Sequence, residues 1–94
     1  MTDPSTAARP APNENYLLIN AYTTHPQSPL LLVTRRIADS GCNLVDARLS
    51  TVGRDVSVTA LAIGPWDAIA KLEAMLTRLE REEGIKLIWY RTGP

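Results

Sequence analysis

Two stretches of helical periodicity, each opened by a proline and closed by a glycine, constrain this chain most. Ser28-Pro29 reads as a helix start, with Ser28 as N-cap and Pro29 at the first helical position, where its missing N–H costs nothing. Gly41 reads as the stop, because glycine enters the left-handed conformation without a steric penalty. Between them Leu30, Val33 and Ile37, flanked by Leu31, Thr34 and Ala38, recur at steps of three and four and give one apolar face. The second stretch begins at Gly64-Pro65. Trp66, Ile69, Leu72, Met75, Leu76 and Leu79 repeat at helical spacing through to Glu83, and Gly84 closes it. Its outer face carries Lys71, Glu73, Arg78, Glu80, Arg81 and Glu82, with Arg78 and Glu82 spaced to pair.

Four strand-like runs surround these helices. Asn15 to Thr23 is apolar on both faces, Leu17, Ile19 and Ala21 against Tyr16, Leu18 and Tyr22, which predicts a central strand. Asn43 to Thr51 alternates, with Val45, Ala47 and Leu49 on one face and Asp46, Arg48 and Ser50 on the other, where Leu44 interrupts the polar pattern. Val52-Gly53-Arg54-Asp55 is a turn, and Val56 to Ile63 the return strand of a hairpin. Ile85 to Arg91 is the last strand. The order strand, helix, strand, strand, helix, strand predicts an α+β chain. It should form a ferredoxin-like βαββαβ two-layer sandwich, a four-stranded antiparallel sheet with both helices on one face. The open face should show Leu18, Tyr22, Leu44, Leu61, Ile63 and Ile88 or Tyr90 among Asp46, Arg48 and Thr59. Such a surface, with a free strand edge beside it, predicts a homodimer.

Residues 1–14, MTDPSTAARPAPNE, contain no large apolar side chain after Met1, and they predict a disordered leader before a single domain over 15–92. Ten basic and ten acidic residues cancel, and no Lys/Arg cluster is present, so direct binding to nucleic acid is not expected. No apolar run is long enough to span a bilayer, and the predicted setting is the cytoplasm, without membrane association.

Chemistry has few places to reside. His25 is the single histidine and Cys42 the single cysteine, and they flank the first helix at opposite ends, about a dozen helical rises apart. A Cys/His dyad is therefore excluded, Cys42 is expected as a small buried filler, and His25 is either a ligand contact or a polar loop residue. Trp66 is expected as a core plug, and Asp46 and Arg48 as a solvated ion pair or a pair across a dimer. There is no glycine-rich phosphate loop and no metal-ligand spacing, so no catalytic residue, metal or cofactor is assigned. What remains is the start of the first helix, whose free amides and positive dipole end suit a carboxylate. Ser28 and the amides of Leu30 and Leu31 either receive an amino-acid carboxylate there, with His25 or Asn43 beside it, or Ser28 simply caps the helix.

Two runs carry a family resemblance. Thr34-Arg35, Gly41-Cys42-Asn43-Leu44-Val45-Asp46-Ala47-Arg48-Leu49 and Val52-Gly53 resemble the T-R…G-C-N-I-x-D-S-R-L…L-G pattern of the ACT domain at the N-terminus of the glycine cleavage system transcriptional repressor family. Gly64-Pro65-Trp66-Asp67-Ala68-Ile69 with Leu72-Glu73 is similar to that family's G-S-W-N-A-I…(L/I)-E. The resemblance covers Tyr16 to about Arg91. It implies a regulatory module that senses an amino acid or similar small metabolite and acts through a partner protein. The family carries two such domains in tandem, which a homodimer of this chain would imitate. The ligand would sit between two domains, which by position implicates His25, Ser28, Leu30, Leu31 and Asn43. The loop departs from the family's G-x-D-R-P-G. Here it reads Thr23-Thr24-His25-Pro26-Gln27-Ser28, with His25 at the Asp position and Ser28 at the final Gly position. That departure supplies the alternative expectation, a ligand-free protein–protein interaction module.

Overall fold

The structure, a computed structural model, describes residues 14–23 and 28–93. Its elements are β1 (Glu14–Thr23), α1 (Pro29–Ser40), β2 (Asn43–Val52), β3 (Asp55–Pro65), α2 (Trp66–Glu83) and β4 (Lys86–Thr92). The sheet is antiparallel in the order β2-β3-β1-β4, and both helices lie on one face, so the βαββαβ sandwich is the observed fold. Of the predicted leader, residues 1–13 lie outside the described residues. Glu14 does not belong to a leader: it opens β1 opposite Pro65.

The punctuation works as its chemistry requires. Gly41 ends α1 at φ 90°, its N–H donating to Ala38 O while Cys42 N–H donates to Ile37 O, the paired bonds of a Schellman cap. Gly53 turns the β2–β3 hairpin at φ 60° with Val52 opposite Asp55, a positive φ that only glycine takes cheaply. Ser28 occupies the N-cap position in extended conformation, yet its side chain makes no cap hydrogen bond.

The core lies between sheet and helices. Leu17, Ile19, Ala21, Val58, Ala60, Ala62 and Leu87 from the sheet meet Val33 and Ile37 of α1 and Ile69, Leu72, Leu76 and Leu79 of α2. Cys42 is buried, as expected, and it packs so tightly on Gly64 that a Cβ there would lie 2.9 Å from its Sγ. Trp66 is not a core plug. It is 63% exposed and lies 6.0 Å from the Arg91 guanidinium, which in turn bonds Glu73 at 2.8 Å. Proline at the preceding position starts α2 on the outside, so the first side chain of the helical stripe has no layer above it. The ion pairs formed among the described residues are Arg91–Glu73 and Arg48–Asp46, and the pairing of Arg78 with Glu82 does not close.

The open face matches expectation except on β2. Register aligns Leu61, Leu18 and Tyr90 in one row, Thr59, Asn20 and Ile88 in the next, and Ser57, Tyr22 and Lys86 beyond. Leu44 does not join them. A bulge between Leu44 and Asp46 leaves Val45 without an opposing residue and places Leu44 opposite Ala62, on the helix side. One extra residue inverts the alternation upstream of it, which a strict two-residue period does not anticipate.

Candidate functional site

The candidate residues fall into two groups. α1 begins at the end of the sheet where β1 finishes and the β2–β3 hairpin turns, and it runs back toward the other end. Ser28 is exposed there, Leu30 is half-buried against the core, and Leu31 is exposed. Pro29 has no N–H, and Leu32 N–H donates to Ser28 O at 3.4 Å, so the amides of Leu30 and Leu31 are the ones an α-helix leaves without an intrahelical acceptor. The Ser28 side chain makes no cap bond, so it does not itself occupy the donors that a carboxylate would use.

Asn43 sits at the other end. It follows the Gly41-Cys42 stop and opens β2, so all twelve residues of α1 separate it from Ser28, roughly 18 Å at 1.5 Å per residue. Register also places Asn43 opposite Ile63, on the open face, whereas the helix start belongs to the helix layer. One chain therefore does not bring Ser28, Leu30, Leu31 and Asn43 together. His25 lies outside the described residues.

Sequence reasoning missed two features. The first is a groove of about 340 Å³ between the outward faces of α1 and α2, lined by Arg36, Asp39, Met75, Arg78, Leu79 and Glu82. It needs the crossing of the two helices, which no local pattern reveals. The second is the state of β2, where every residue but Ala47 is exposed. No group of three His, Cys, Asp or Glu side chains able to hold a metal occurs among the described residues, nor any helix long and apolar enough to cross a membrane.

Known proteins give this geometry a family. The sequence profile of the ACT domain matches residues 15–89. This chain belongs to the ACT domain family. ACT domains are regulatory rather than catalytic. The ACT chain is 29% identical over 80 residues to the glycine cleavage system transcriptional repressor of Escherichia coli strain K12, covering 85% of this chain and 42% of that protein. It thus spans less than half the length of that curated relative. A crystal structure described as a candidate glycine cleavage system transcriptional repressor superposes with a TM-score of 0.80 at 26% identity, over 86% of this chain and 47% of the other. An ACT domain protein from Streptococcus pneumoniae, 13% identical, shares the fold with a TM-score of 0.68 over 82% of this chain and 89% of its own.

Proposed function

We propose that this ACT domain is a cytoplasmic regulatory module that works as a homodimer, senses an amino acid or similar small metabolite, and acts through a partner protein in glycine-cleavage-repressor-like regulation. The observation that supports it is the exposed, ten-residue β2 at the edge of an ACT sheet, with Asn43 at one end and the start of α1 above the other. A two-fold axis that joins β2 to its own copy runs the strands antiparallel. It brings the Asn43 end of one chain beside the end of the partner over which the partner's α1 begins. A carboxylate on Ser28 and the Leu30 and Leu31 amides would then lie beside the strand end that opens with the second chain's Asn43.

The test is a thermal-shift screen against the proteinogenic amino acids at millimolar concentration. One of them is expected to raise the midpoint, and a ligand at a hundred times its dissociation constant adds about 2.7 kcal/mol. Asn43→Ala, at an exposed strand end, should leave stability within about 0.5 kcal/mol and abolish the response. If stability falls together with the response, Asn43 is structural.

A second reading, a ligand-free protein–protein interaction module, is favoured by two observations. Ser28 stands where the resemblance places a glycine that lets a ligand approach the backbone, and Asn43 shares the open face with Ile63. A chain that dimerises while no amino acid moves its midpoint would establish this reading over the first.

A further inference from the structure

We propose that β2 recognises a second copy of this chain in one register, with Ala47 on the two-fold axis, and that Asp46 and Arg48 select it. The inference rests on the homodimer proposed above and names the residues that choose the partner.

Among the described residues no strand lies on the outer side of β2. The Ala47 amide donates to Asp46 Oδ1 at 2.9 Å, and Asp46 Oδ2 lies 3.6 Å from Arg48 Nε. In the isolated chain, then, an edge amide is held by the carboxylate of its own neighbour, a bond that an incoming strand replaces. Both charged side chains are largely solvent-exposed, at 61% and 82%, so nothing prevents them from turning to a new partner.

Geometry leaves few registers. In an antiparallel pair, opposed residues share a face of the sheet, so a two-fold axis normal to the sheet must pass through a residue and not between two. From Asp46 to Val52 the even positions face the open side and the odd positions the helix side, as their opposed β3 residues show. With the axis on Ala47, Asp46 lies opposite the partner's Arg48 and Arg48 opposite the partner's Asp46. Two cross-strand pairs of opposite charge form at once. The smallest side chain of the strand falls on the axis, and the exposed Val45 and Leu49 come opposite each other across it. Moving the axis to Asp46 sets two carboxylates face to face, and moving it to Arg48 sets two guanidinium groups face to face. Like charges directly opposite destabilise a ladder. The strand is self-complementary in a single one of these three registers.

The experiment is sedimentation equilibrium on the full chain, on D46R, on R48D, on the D46R/R48D double variant, and on an equimolar mixture of the two single variants. Circular dichroism checks that each is folded. The wild type is expected to be a dimer. Each single variant places like charges across both pairs and should raise the dissociation constant at least tenfold. The double variant restores a homodimer and the mixture a mixed dimer. The mixture is the decisive arm, because it restores opposite charges between chains but not within either chain. Single variants that dimerise like the wild type, or a mixture that stays monomeric, overturn the register while leaving the homodimer standing. A wild-type chain that is monomeric at every concentration overturns both.

Discussion

β4 and β2 close the two sides of the same sheet in different ways. β4 has seven residues, and α2 reaches over it: Glu80 Oε2 accepts the Leu87 amide at 2.8 Å, and Glu73 holds Arg91, which also lies against Trp66. β2 has ten residues and holds its Ala47 amide by a carboxylate of its own. Leu44, Val45, Leu49 and Val52 are all exposed along it. Folded proteins protect an edge with charge, covering elements or short length, and β4 uses all three. β2 keeps length and apolar side chains and adds one charge of each sign. The contrast supports the proposal that β2, and not β4, is the side that accepts a second strand.

Substitutions at four positions would sharpen or break that contrast. The largest effect is expected at the centre, which sets the scale: Ile19→Ala removes a fully buried side chain and should cost about 2–5 kcal/mol in urea denaturation. Leu49→Ala, measured in dilute monomer, should cost less than about 1 kcal/mol because half of that side chain already meets water. Equal costs at the two positions would mean that β2 is covered, and the contrast would fail. Next, Glu80→Ala leaves the part-buried Leu87 amide without its acceptor and should cost about 1–3 kcal/mol, with Glu80→Gln recovering most of it. An unchanged denaturation midpoint would show that α2 does not guard the β4 edge through this bond. The smallest effect belongs to Arg91→Ala, about 0.2–1 kcal/mol, given a half-exposed ion pair. Its cost should shrink as salt is raised from low to high, and a salt-independent cost would assign it to packing on Trp66 instead.

The fold was legible because each local signal pointed the same way. Pro29 and Gly41, then Pro65 and Gly84, bound the two helices at the expected residues, and the stripe Val33, Ile37, Ile69, Leu72, Leu76 and Leu79 is the stripe that is buried. Facing was legible on β1 although both its faces are apolar, and Leu17, Ile19 and Ala21 enter the core. Coverage was not. Val45, Ala47 and Leu49 alternate as cleanly as the core residues of β1, but alternation says where a side chain points and nothing about what lies above it. Trp66 failed for the same reason: helical spacing placed it on the apolar stripe, and the stripe extends one residue beyond the layer it packs against. The candidate site was legible as residue types and not as a place. Ser28 and Asn43 bracket one helix in the sequence, and the length of that helix is what holds them apart.

The bulge at Val45 divides β2 into two mechanically separate pieces. Upstream, Cys42 is wedged on Gly64 and fixes the strand to the floor of the core. Downstream, Asp46 to Val52 follows β3 residue for residue up to the hairpin. Val45 is the slack between these two anchors. A change in chain length at this end of the strand can be absorbed in that slack, so the wedge and the free ladder are open to independent variation.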